Sequence, residues 1–274
     1  VSLSHSVKRS RLIENPVPTA FSEYAKGFNH IVDSLKTAGG KTVLSRVIRL
    51  EAERGVDWTR IIDNLFDRAD INTFRFVYYT LETGVWLGAS PELLLKEDAS
   101  GVVSTMALAG TRPVGVSDWD DKNRSEHQMV VEHIVDCFKR SGLDPEVSAE
   151  QTVTHGKLQH LRHEIIARTI APDCFDALLS ALNPTPALAG WPVDESLMRI
   201  ATAEKQPRYC YGGYISLMLP DGSRVAYVNL RSCYVSGQNF YLYCGGGLTA
   251  QSQLESEWDE TTLKSTAMRS ILEL

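Results

Sequence analysis

The stretch YGGYISLMLPDGSRVAYVNLRSCYVSGQNFYLYCGGGL, residues 211–248, decides the fold class. β-Branched and aromatic residues fill Tyr211 to Leu219, Arg224 to Val235 and Phe240 to Leu248, which read as three strands. Between them stand Pro220-Asp221-Gly222-Ser223 and Ser236-Gly237-Gln238-Asn239. Such residues reverse the chain within a few positions, and so short a connection joins only antiparallel neighbours. The same grammar lies upstream, with strand-like runs at Phe74 to Leu81, Val85 to Ala89, Leu93 to Lys96 and Val102 to Leu108, and turns at Glu82-Thr83-Gly84 and Asp98 to Gly101. A further strand from Lys41 to Leu50 would set Lys41 at its mouth, with Val43, Ser45 and Val47 on the same face.

Helices occupy the spaces between these blocks. Phe21, Tyr24, Ala25, Phe28, Ile31, Val32 and Leu35 follow helical spacing, and Gly39-Gly40 supplies the stop. Further helices are expected around Trp58 to Phe66, Glu126 to Arg140, Phe175 to Leu182 and Asp194 to Thr202. A last one starts near Ser252, where Ser252-x-x-Glu255 fits a capping box, and runs towards Leu272. The expected class is α+β, with large antiparallel β-sheets covered by helices, rather than a doubly wound parallel sheet. At 274 residues the chain reads as a single domain from 21 to 274 behind an N-terminal remnant or extension, 1–20. It opens on Val1 rather than Met, which suggests a processed chain or a fragment.

Composition narrows the function. There are 28 basic and 34 acidic side chains, a formal charge of −6, and no dense basic stretch, which argues against a nucleic-acid binder because phosphate neutralisation needs clustered cations. Any anionic ligand must be caught by a local site. Cys137, Cys174, Cys210, Cys233 and Cys244 are odd in number and widely spaced, so they read as buried thiols rather than a disulfide or zinc framework. The first residues lack the apolar core of a signal peptide, and no apolar run reaches membrane-spanning length. The expectation is a cytoplasmic protein without a membrane partner.

Several side chains invite a chemical reading. Glu126 shares a helical face with Val130, Ile134 and Cys137, and Glu257, Glu260 and Lys264 share one with Met268 and Ile271. Carboxylates on apolar stripes want a cation, and hard oxygen ligands suit Mg2+. Spacing alone favours a plainer reading: a Glu260–Lys264 surface pair and a solvated Glu126. Gly245-Gly246-Gly247-Leu248-Thr249-Ala250 loosely matches a dinucleotide pattern, but no strand follows to carry a ribose-binding acid. The glycines fit backbone N–H groups brought close to an anion, or a tight turn nearly as well. Arg231 reads as a carboxylate clamp or an exposed strand cation. Lys41 as a base and Glu92 as an acid each compete with ordinary surface roles. His127 and His133 do not share a helical face, and His160 and His163 lack a third zinc ligand.

Taken together, Lys41-Thr42-Val43-Leu44-Ser45-Arg46, Gly88-Ala89-Ser90-Pro91-Glu92, Leu108-Ala109-Gly110-Thr111, Leu182-Asn183-Pro184-Thr185-Pro186-Ala187 and Glu257-Trp258-Asp259-Glu260-Thr261 resemble the chorismate-utilising enzyme family in order and spacing. Within it the chain is most similar to isochorismate synthases, from about Phe21 to the C-terminus. The resemblance implies the chorismate-binding fold of anthranilate synthase component I. It also implies chorismate as substrate and Mg2+ as cofactor, with Glu126 and Glu260 as principal metal acids and Glu257 supporting the ion. Lys264 would meet the substrate carboxylate. Tyr211, Arg231, Gly245 and Gly247 would clamp the enolpyruvyl carboxylate, and Gly110, Thr111, His160 and Thr185 would line the pocket.

The implied reaction is water attack at C2 with loss of the C4 hydroxyl, Lys41 acting as base and Glu92 as acid. Anthranilate synthases usually carry glutamine where Lys41 stands, so no glutaminase subunit is expected. Ala109 stands where covalent aminodeoxychorismate synthases carry lysine. Salicylate synthases share Lys41, Glu92 and the acids and form the alternative; a second is a chorismate-binding remnant without turnover. Asn183, Ala189 and Asn229 depart from the family pattern, and the stretch from Thr111 to Glu126 is shorter than usual.

Overall fold

The computed structural model describes residues 14–53, 55–71, 73–115, 118–155, 158–169 and 173–273, without the side chains of 111, 113, 122, 126, 155 and 158. Residue contacts gather into two compact units. The first takes the described residues up to Pro91, with Pro186–Gly213 and the chain from Asn229 onward; the second takes Glu92–Thr185 and Tyr214–Val228.

The first unit is built on β1 (Lys41–Glu51) and β13 (Asn239–Leu248), which pair antiparallel from Thr42 with Leu248 to Glu51 with Asn239. Thr42 to Val47 are buried without alternation, so both faces of β1 are covered. The sheet runs β2 (Phe74–Thr80), β3 (Gly84–Ser90), β12 (Ser232–Ser236), β13, β1, β9 (Gly190–Trp191). Its helices are α1 (Phe21–Ala38), α2 (Trp58–Arg68), α5 (Val193–Ala203) and α6 (Leu254–Leu272). One core joins Ile61 and Leu65 of α2, Met268 and Ile271 of α6, and Leu87, Val235, Phe240 and Leu242 from the strands. A second joins Tyr24, Phe28, Ile31 and Leu35 of α1 to Leu44 and Leu248. At about 1.5–3 kcal/mol for each large apolar side chain fully buried, these clusters dominate the stabilisation of the unit.

The second unit carries the sheet β10 (Tyr214–Met218), β11 (Arg224–Val228), β4 (Leu93–Glu97), β5 (Val102–Pro113), β8 (Leu158–Arg168), β6 (Glu146–Val147), with β7 (Gln151–His155) also on β8. Helices α3 (Asp121–Arg140) and α4 (Cys174–Leu182) belong to it. Asp120 caps α3 by accepting from Asn123 N at 2.7 Å.

Two expectations are corrected. The strand expected from Arg224 to Val235 is two strands in different sheets, β11 and β12, because the chain passes from the second unit to the first between Val228 and Asn229. Arg231 therefore lies outside any strand, with φ 46°. The capping box at Ser252 is not formed: α6 starts after Gln253 without a side-chain cap, and Ser252 instead donates to Glu257 Oε1 at 2.7 Å. The five cysteines are free, four of them buried. Among the described residues no helix is long and apolar enough to cross a membrane.

Candidate active site

The glycines 245–247 lie within β13, in neither a turn nor a dinucleotide loop. Their use is close approach. A Cβ on Gly247 would collide with Lys41 Cε; one on Gly246 would lie 3.0 Å from Glu257 Oε2, and one on Gly245 3.0 Å from the Tyr211 hydroxyl. Three bare positions thus let Lys41, Glu257 and Tyr211 lie against one strand.

Register decides where the backbone of that strand points. Val43 faces Gly247 and Ser45 faces Gly245. Val43 N donates away from β13, to Ala189 O at 2.9 Å, and Ser45 N donates to Glu204 Oε1 at 2.7 Å. Both are therefore the wide, non-hydrogen-bonded pairs of the ladder, and the N–H and C=O groups of Gly245 and Gly247 face the opposite edge. There β12 pairs only with Asn239–Leu242, so no described strand covers that edge at the glycines. Lys264 Nζ uses it, donating to Gly245 O at 2.9 Å.

Charged groups gather at the same place. Lys264 also pairs with Glu260 at 2.7 Å, about half of each side chain remaining exposed. Glu257 Oε2 is buried and has no hydrogen-bond partner among the described residues. Burial pushes the Glu257 carboxyl up, and Glu260 adds to this, while the Ser252 hydrogen bond, Lys264 and Lys41 oppose it. Lys41 opens β1, where its carbonyl accepts from Ser196 Oγ at 2.8 Å. Tyr211 stacks on Tyr243 with centroids 5.4 Å apart. Arg231 immediately precedes β12, is exposed, and its carbonyl accepts from Ala89 N at 3.2 Å.

The second unit holds the remaining candidates. Glu92 immediately precedes β4; its backbone carbonyl accepts from Val228 N at 3.0 Å, and its carboxylate accepts from Thr185 Oγ1 at 3.2 Å. Burial pushes this carboxyl up to about 6, against the Thr185 hydrogen bond. His160 Nδ1 donates to the carbonyl of Gly110 at 3.0 Å, at the irregularity in the β5–β8 register between Ala109 and Arg112. Thr111 lies in β5 and Glu126 in α3, but both side chains lie outside the described residues. The next residue, His127, is buried and meets His163 Nδ1 through Nε2 at 2.7 Å, which fastens α3 to β8. That pairing escapes sequence reading because the two rings stand on different elements. Glu204 and Arg208 also escape it, although their i,i+4 spacing just before Tyr211 is a usable signal. Among the described residues no three His, Cys, Asp or Glu groups gather as a metal cluster.

Residues 3–273 match the family described as chorismate binding enzyme. Isochorismate synthase EntC of Escherichia coli is 28% identical over 246 residues, covering 85% of this chain and 62% of the relative. The salicylate biosynthesis isochorismate synthase of Pseudomonas aeruginosa is 36% identical over 204 residues, covering 68% of this chain and 42% of the relative. The chain therefore spans about three fifths or less of these relatives. Among solved structures, the menaquinone-specific isochorismate synthase MenF of Escherichia coli superposes with a TM-score of 0.80 at 26% identity, over 99% of this chain and 66% of that one. With antiparallel sheets, covering helices and a family match across almost its whole length, the chain belongs to the chorismate binding enzyme family.

Proposed function

We propose that the chain converts chorismate to isochorismate, as a Mg2+-dependent isochorismate synthase. The observation that carries this reading is the outward edge of β13, where the N–H groups of Gly245 and Gly247 stand beside Tyr211, Lys264 and two carboxylates. A dicarboxylate needs donors for each carboxylate, and an enzyme of net charge −6 must concentrate them locally. The names of the relatives support the same substrate.

The residues fit a divalent cation. Glu257 Oε2 is an anionic oxygen buried without a partner, Glu260 is beside it across Gly246, and carboxylates are the ligands a hard cation takes. Glu257 and Glu260, with Glu126, would hold Mg2+, whose charge would orient and neutralise the substrate.

The chain's own residues then carry the proton transfers. Lys41 takes a proton from water as the water oxygen bonds to C2. The two ring double bonds each shift by one position, the C4–O bond breaks, and Glu92 gives its proton to the departing hydroxyl, which leaves as water. One water enters and one leaves, and the proton gained by Lys41 balances the one lost by Glu92. A carboxyl pushed up to about 6 retains a protonated fraction near neutrality, as a general acid must. Tyr211, Arg231 and the N–H groups of Gly245 and Gly247 bind the enolpyruvyl carboxylate, and Lys264 the ring carboxylate. Water as nucleophile calls for no ammonia-delivering subunit.

The test is incubation with chorismate, with Mg2+ or with chelator, resolving products by chromatography and proton NMR. Isochorismate formed only with Mg2+ is the expected result. Salicylate with pyruvate would transfer the reading to a salicylate synthase, and binding without product would remove the catalytic reading.

A further inference from the structure

Strand β9 covers only Lys41 and Thr42 of β1. Beyond it, the same edge of β1 is closed by side chains. Arg208 Nη2 donates to Val43 O at 2.9 Å, Arg208 Nη1 to Leu188 O at 2.7 Å, and Glu204 Oε1 accepts from Ser45 N at 2.7 Å. Arg208 and Glu204 grip each other through two bonds, Nε to Oε2 at 2.9 Å and Nη2 to Oε1 at 2.6 Å, with little of either side chain exposed. Arg208 also opens the turn that delivers Tyr211. Tyr211 N donates to Arg208 O at 2.9 Å, and between them Tyr209 is held at φ 50°, a conformation a non-glycine residue keeps only when its surroundings impose it. Tyr211 leaves this turn stacked on Tyr243, with its hydroxyl against Gly245.

We propose that Arg208, braced by Glu204, is a positioning residue: it bolts the strained 208–211 turn to β1 and so fixes the Tyr211 hydroxyl at the glycine edge where a substrate carboxylate is held. The inference rests on the isochorismate synthase reading of that edge. A lysine at 208 would keep the charge but lose the planar fork that reaches Val43, Leu188 and Glu204 together.

The experiment is a double-mutant cycle on the whole chain with Arg208→Lys and Tyr211→Phe, measuring KM and kcat for chorismate beside the melting temperature of each variant. Arg208→Lys should raise KM by about tenfold and leave kcat within about threefold, the mark of lost ground-state binding. The double variant should be no worse than Tyr211→Phe alone, because the two residues act through one contact. Additive penalties, or a lowered melting temperature with unchanged KM, would overturn the inference and leave Arg208 merely structural. If Arg208→Lys does not fold, Glu204→Gln replaces it in the cycle, since it keeps an acceptor for Ser45 N and drops the charge; the same two outcomes decide. A wild-type chain that binds chorismate without making isochorismate removes the functional reading itself, separately from the cycle.

Discussion

The glycine edge of β13 and the start of β4 set carboxylates among different neighbours. At the edge, burial pushes the Glu257 carboxyl up and Glu260 adds to this, while the Ser252 hydrogen bond, Lys264 and Lys41 oppose the rise. At Glu92 burial also pushes the carboxyl up, to about 6, and there a hydroxyl, that of Thr185, opposes it in place of ammonium groups. Under the proposed function, the same residue type holds a cation in one place and a proton in the other. The difference comes from what lies beside each carboxylate.

The sharpest way to break this comparison is to remove the proton-carrying groups. Lys41→Ala and Glu92→Gln should each lower kcat by about a thousandfold, within the range of general acid–base contributions, with unchanged circular dichroism. Near-wild-type turnover in folded protein would end the assignment. Next in size, Glu260→Gln should weaken Mg2+-dependent chorismate binding by about ten- to a hundredfold, measured by calorimetry, while binding without metal changes little. Gly247→Ala probes the edge without touching a charge: its Cβ must displace the Lys41 stem, so kcat should fall by about tenfold or more, as expected when a reacting group is moved by a fraction of an ångström.

The smallest effect is on stability, and its sign is opposite to the loss of activity. Glu92 binds its proton more tightly in the folded protein, so its contribution is fully present below the ordinary carboxylate pKa of 4.5 and is lost as pH rises through about 6. Glu92→Gln should therefore stabilise the protein at pH 7.5 by up to about 2 kcal/mol, and the gain should vanish below about pH 4.5. Denaturant melts at the two pH values check this; equal stability at both would show that the carboxyl is not held up.

Much of the fold was legible because turn chemistry and periodicity act locally. Helices α1, α2, α4 and α5 fall within a few residues of the spans read from spacing, and the tetrads at 220–223 and 236–239 do join antiparallel strands. What was not legible depends on partners distant in sequence. Nothing around Asn229-Leu230-Arg231 resembles a breaker, yet the strand changes sheets there, and β6 and β9 are too short to be strands without their neighbours. At the site, helical spacing placed Glu257, Glu260 and Lys264 on one face. The reason for three successive glycines, close approach by Lys41, Glu257 and Tyr211, needed the register of β1 against β13.

The most direct measurement is turnover of chorismate in 18O-labelled water with Mg2+, reading the product by mass spectrometry at early times. One solvent oxygen in isochorismate, located at C2 by NMR, is the expected result. Isochorismate formed without label would contradict water attack at C2 and remove the roles of Lys41 and Glu92 together.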